Sequence, residues 1–208
     1  MNLTQMPVTV AIIAITCVVS FLAFNNRRLL DRLILWSPAI SRGHEYWRLL
    51  TSGLIHADMQ HFLFNMITLF FFGGLVEQFH SHFIGSIGYA LFYASALVVS
   101  SIPSWLRHRD DPAYRSLGAS GAVSAVLFAF ILLQPWALIF VFFVPMPAIL
   151  YAVAYIAYTI WADRRRADNI NHSAHLWGAV YGVLFTLAME PRVLALFLSQ
   201  LANPGFGR

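Results

Sequence analysis

The stretch RSLGASGAVSAV, residues 115–126, sets Ser120 among Gly118, Ala119 and Gly121 in a chain otherwise suited to lipid. A serine hydroxyl is a weak nucleophile until a base takes its proton. A second stretch, AHLWGAVYG at 174–182, offers such a base in His175. At 3.6 residues per turn, His175 lies about 60° from Gly178 and about 20° from Gly182, so the imidazole shares a helical face with two glycines. Glycines spaced like this let two helix backbones approach closely, and Gly118, Gly121, Ala122, Ala125 and Ala129 form a matching small-residue run. Contact between the two faces would bring the Ser120 hydroxyl within hydrogen-bond reach of His175. Ser120 also stands near a helix N-terminus, where free N–H groups can receive a developing oxyanion. On another segment His61 and Asn65 are four apart and share one face, with His56 a further turn upstream.

Each feature alone has a plainer use. An intramembrane serine usually bonds back to its own helix, and His61 with Asn65 could act as interhelical glue. Metal binding is the rival use of His56, His61, His172 and His175. Their stretches, HADMQH and HSAH, lack the H-E-x-x-H pattern, and the only acids near them are Asp58 and Glu77. The expectation is a site without metal or cofactor. What favours nucleophilic catalysis is the combination of polar residues on three separate segments, because such residues are costly within a bilayer.

The elements holding these residues must be membrane helices. Of 208 residues, 59% are hydrophobic and 11% charged, with a mean hydropathy of +0.68, which excludes an ordinary soluble domain. A helix needs roughly 17 to 25 mainly apolar residues to cross a hydrocarbon core of about 30 Å. Six spans are expected in one domain over 1–208: 7–24, 59–76, 83–103, 117–134, 148–161 and 173–189. The first has no basic leader and reads as a retained span rather than a cleaved signal. Cys17 within it reads as a small packing residue. Residues 25–58 form an arginine-bearing first loop, and 136–144, WALIFVFFV, is too short to span and reads as an extended or interfacial connector. The tail 190–208 carries a segment, 193–201, suited to the interface. Lysine is absent, so the net charge of +4 rests on arginine and favours anionic headgroups over nucleic acid.

In chain order, YWRLLTSGLIH (46–56), HFLFN (61–65), GGLVE (73–77), GASG (118–121) and AHLWG (174–178) resemble the motifs of the rhomboid intramembrane serine proteases. The resemblance covers Tyr46 to about Gly182. It implies an all-α polytopic bundle of six transmembrane helices with a water-filled cavity opening toward the outer face. Its substrates would be membrane proteins, cut in or near a transmembrane segment after a small residue. By matched position Ser120 would be the nucleophile and His175 the base, with no third acid. His61 and Asn65 would be side-chain oxyanion partners beside the backbone at Gly118, Ala119 and Ser120. Trp47 and Arg48 match a pair in the first loop. Ser124 departs from the pattern, since some members carry there an aromatic that packs on the catalytic histidine; support for His175 must then come from elsewhere. The expected location is a bacterial inner membrane, with a cytoplasmic N-terminus. That orientation leaves Arg192 and Arg208 inside and eleven arginines outside, against the positive-inside tendency. The alternative function is a non-catalytic relative that binds and escorts membrane proteins, with a metal or solute transporter third.

Overall fold

Proline at the first turn of a helix gives up an N–H that had no partner anyway, and Pro7 so begins α1, Pro7–Phe24. The computed structural model describes residues 3–141, 143–165 and 170–204, and Arg166, Asp168 and Arg208 of the charge count lie outside them. The first amides of α1, which have no partner within the helix, meet a carboxylate from far along the chain. Val8 and Thr9 donate their N–H groups to Glu77 Oε1 and Oε2 at 2.9 and 2.7 Å. Glu77 is 2% exposed, and its charge is compensated by two amide bonds and the positive end of a helix.

The first loop is folded rather than loose. It contains α2 (Arg27–Leu33), β1 (Leu35–Trp36), α3 (Ser37–Gly43) and α4 (Arg48–Thr51). Arg48 is buried and gathers these pieces. Its Nη1 donates to the carbonyls of Asp31 and Ile34, each at 2.8 Å, and its Nε to Glu45 at 2.5 Å. Trp47 beside it is exposed. β1 pairs antiparallel with β2, Arg115–Ser116, with Leu35 opposite Ser116, so the loop is tied to the backbone just ahead of Ser120.

α5 runs from Met59 to Arg107, broken only at Gly85, whose φ of 68° and ψ of 170° suit a residue without Cβ. The expected spans at 59–76 and 83–103 both fall along α5, and residues 77–82 between them are helical as well. Within the polar run EQFHSH, Glu77 and His80 point inward while Gln78 and His82 are exposed: Glu77 caps α1, and His80 Nε2 lies 3.0 Å from Thr186 Oγ1. α6, Ser120–Leu133, is buried from Gly121 to Leu132. The connector after it is a hairpin, β3 (Leu138–Val141) with β4 (Val144–Pro147). α7 is Ala148–Arg165 and α8 is His172–Met189. Beyond α8 the chain bends by 114° into α9, Arg192–Ala202.

α6 and α8 meet backbone to backbone. A Cβ on Gly178 would overlap the Gly121 carbonyl, and one on Gly182 the Ala125 carbonyl. The interior built around this seam takes in Phe62, Leu69 and Val76 from the first arm of α5 and Phe92 and Ala96 from the second. Cys17 packs against it from α1. Among the described residues, α1 and α5 are long and apolar enough to cross a bilayer, and α8 with α9 makes a third if the bent pair counts as one span. Length and composition alone do not mark six crossings. α6, at 14 residues, is about 21 Å long and falls short of a hydrocarbon core of about 30 Å.

Candidate active site

Ser120 is the first residue of α6, with Ala119 as its N-cap. The turn that delivers it depends on Gly118, whose φ of 120° is rarely adopted by L side chains. A Cβ there would also stand 2.5 Å from His61 Cε1. The turn is anchored at successive residues. Gly118 N–H donates to the Ser52 carbonyl at 2.9 Å, and Ala119 N–H to His56 Nε2 at 3.4 Å.

α8 brings His175 to this turn. Its Nε2 stands 2.7 Å from Ser120 Oγ, in the range of a strong hydrogen bond. Both residues are partly exposed while α6 beyond Ser120 is buried, so the pair is open at the surface and the seam beneath it is closed. Asn171 caps α8: its Oδ1 accepts from Ala174 N–H at 3.0 Å and from Ser104 Oγ at 2.8 Å, and its Nδ2 donates to Ser116 Oγ at 3.0 Å. One side chain thereby ties the start of α8 to the end of α5 and to β2.

Across Gly118 from Ser120 lies His61, with Asn65 one turn further along α5. The start of α5 is capped by Asp58, which accepts from His61 N–H at 2.7 Å. Asn65 is buried and donates one amide N–H to the His61 carbonyl at 2.9 Å. His56 packs edge-on to His61, ring centroids 5.1 Å apart. Burial, reinforced by the neighbouring His61 imidazole and opposed by Asp58, pushes the His56 pKa down to about 3. His172 lies edge-on to His175, centroids 6.0 Å apart. Among the described residues no three His, Cys, Asp or Glu side chains gather where they could hold one metal ion.

The structure therefore brings Ser120, His175, Gly118, Ala119 and His61 to one place, with Asn65 beside it. Sequence reasoning left Asn171 and the contact of His56 with Ala119 unassigned. Asn171 carried a signal, being a helix-capping residue type just before an apolar run. His56 carried none, because its partners are Ser20 and Ala119, 36 and 63 residues away. Ser124 is buried, its Oγ 2.8 Å from the Tyr155 hydroxyl.

The rhomboid domain matches residues 43–192. The chain is 31% identical over 173 residues to RHOMBOID-like protein 12, mitochondrial, of Arabidopsis thaliana, taking in 77% of this chain and 51% of that protein. It therefore spans about half the length of this relative. YdcA of Bacillus subtilis (strain 168), a rhomboid-type protein, is 29% identical over 162 residues, 74% of this chain and 75% of that one. Rhomboid protease GlpG of Haemophilus influenzae is 34% identical over 84 residues, 40% of this chain and 39% of that one. With one relative mitochondrial and others bacterial, the expected bacterial inner membrane gains no support from them; an integral membrane location does. A domain match over most of the chain, on helices apolar enough for a bilayer, makes this protein a member of the rhomboid family.

Proposed function

We propose that the protein is an intramembrane serine endopeptidase in which Ser120 attacks and His175 serves as base. The observation that carries this reading is the 2.7 Å contact between Ser120 Oγ and His175 Nε2 at the N-terminus of α6. The Ser120 proton passes to His175 as Oγ bonds the peptide carbonyl carbon. His175 then gives that proton to the departing amine, and water releases the acyl group by the same route in reverse. The negative oxygen of the tetrahedral species faces the Ser120 N–H, with the His61 ring and the second N–H of Asn65 within the same pocket of the fold. Gly118 and Ala119 shape that pocket. The chemistry uses side chains and backbone alone.

On this reading residues 1–208 form one membrane domain of six crossings: α1, the two arms of α5, α6, α7 and α8. Its substrates are membrane proteins, entering from the bilayer and cut near the outer end of a transmembrane segment. The names of its relatives support the class of reaction, since GlpG is called a rhomboid protease.

The test is cleavage of a generic transmembrane substrate by the protein purified in detergent, with and without a fluorophosphonate. Cleavage and Ser120 labelling are expected, both abolished in Ser120→Ala with its melting temperature unchanged. His175→Ala should be comparably inactive. Substrate bound but never cut, with Ser120 unlabelled, would favour the escort reading. Turnover surviving Ser120→Ala but stopped by a zinc chelator would replace the mechanism.

A further inference from the structure

A serine–histidine pair works only while the imidazole keeps Nε2 aimed at Oγ, and rotation about one side-chain bond would lose that aim. The His175 ring is faced by Tyr155 from α7, with centroids 6.2 Å apart and planes only 20° from parallel, within the range of offset stacking. The far end of Tyr155 is fixed in turn, its hydroxyl 2.8 Å from Ser124 Oγ. Ser124 stands one turn after Ser120 on the same face of α6. Four residues thus close a ring across three helices: Ser120 to His175, His175 to Tyr155, Tyr155 to Ser124, and Ser124 back along α6 to Ser120. Tyr155 is itself held between Phe128 and Tyr151, each with its ring centroid 5.6 Å away.

Ser124 has no packing reason to be polar. From Gly121 to Leu132 every other side chain of α6 is apolar and buried, and a hydroxyl in such surroundings needs a partner. Its partner is the ring that faces His175.

We propose that Tyr155 is the positioning residue that sets the plane of the His175 imidazole, and that Ser124 holds Tyr155 in place. This rests on the reading of Ser120 and His175 as the catalytic pair. The aromatic support reaches the histidine from α7, so the geometry of the site depends on where α7 sits.

The experiment uses the full chain in detergent with a transmembrane substrate, reading kcat, KM, fluorophosphonate labelling rate and melting temperature together. Tyr155→Leu should lower kcat and labelling by about 10²-fold, as expected for a catalytic group misplaced by about 1 Å, with KM within about twofold. Tyr155→Phe keeps the ring and should lose only about 2- to 10-fold, the worth of one hydrogen bond. Ser124→Ala should match it, and the double variant should lose no more than either alone, since both remove the same bond. Exchanging the partners, Ser124→Tyr with Tyr155→Ser, supplies a ring to the same slot from α6 and should recover at least about tenfold of what Tyr155→Leu loses. Full kcat in Tyr155→Leu with a lowered melting temperature would overturn the proposal, as would additive losses in the double variant. Cleavage that persists in Ser120→Ala, run in the same assay, would instead overturn the catalytic reading beneath it.

Discussion

His56 is fixed in one neutral tautomer by its neighbours. The Ser20 hydroxyl donates to the Leu54 carbonyl at 2.9 Å, so it accepts from His56 Nδ1 at 2.9 Å, leaving Nε2 as the acceptor for Ala119 N–H. A proton on Nε2 would set donor against donor under the turn that carries Ser120. The unfolded chain binds that proton near pH 6.5, while the folded chain holds it off until about pH 3. The contribution of His56 to stability is therefore complete above about pH 6.5 and declines as the pH falls toward about 3. Melting temperatures should show it: the gap between wild type and His56→Gln, which keeps a donor and an acceptor but does not titrate, should change in the variant's favour from pH 7 to pH 4. A gap independent of pH would mean that His56 titrates alike folded and unfolded. Asn65 makes a separate case. Removing one oxyanion donor costs serine hydrolases about 10² to 10³ in kcat, and His61 with the Ser120 amide could reduce that loss here. Asn65→Ala should lower kcat more than it raises KM, with Ser120 still labelled, only more slowly. Unchanged kcat with lowered stability would leave Asn65 as a brace on its own helix. Ser120, His175, His61 and Asn65 were readable because a polar side chain in an apolar run needs a reason. Tyr155 was not, since a tyrosine among tyrosines on α7 becomes distinctive only when its partner helix is known.

At the scale of the element, the α6–α8 seam and the cap on α1 carry distinct consequences. Gly178→Val or Gly182→Val would drive branched bulk into a backbone, and overpacking typically costs about 1 to 3 kcal/mol. Both variants should melt lower and lose turnover together, because the same two helices carry Ser120 and His175. Normal melting with normal turnover would mean the seam is looser than its geometry. Glu77→Ala behaves otherwise. It strands the amides of Val8 and Thr9, at about 1 to 3 kcal/mol for each buried donor left unpaired, yet touches neither Ser120 nor His175. Stability should fall while kcat of the folded fraction holds. The helices α1, α7 and α8 were legible from apolar runs bounded by polar residues and prolines. The join within α5 was not, because Glu77 and His80 look like loop residues until α1 and Thr186 are seen to receive them.

For the molecule as a whole, charge and depth matter most. The arginines cluster on the first loop, around residues 104–116 and in the last turn of α7, and several are paired there: Arg115 with Asp31 at 3.2 Å and Arg107 with Asp163 at 3.0 Å. The proposed six crossings would put Arg109 and Phe143 on opposite faces, one beside the Ser120 end of α6 and the other at the hairpin beyond its far end. With Cys17→Ser as background, single cysteines at these two positions should react with an impermeant maleimide from opposite sides of a sealed vesicle. Reaction of both from one side would sink the six-crossing arrangement.

The shortness of α6 has one more consequence for the proposed reaction. On the proposed six-crossing reading, α6, about 21 Å long where the hydrocarbon is about 30 Å thick, sets Ser120 below the level of the headgroups when its far end is level with them. A peptide bond cut there is neutral, but its two new ends are a carboxylate and an ammonium at neutral pH. Charges formed at depth are unfavourable by up to a few kcal/mol each, and both fragments lower their free energy by moving their cut ends to water. Hydrolysis thus supplies its own force for product ejection, and the separated ends do not meet again to be rejoined.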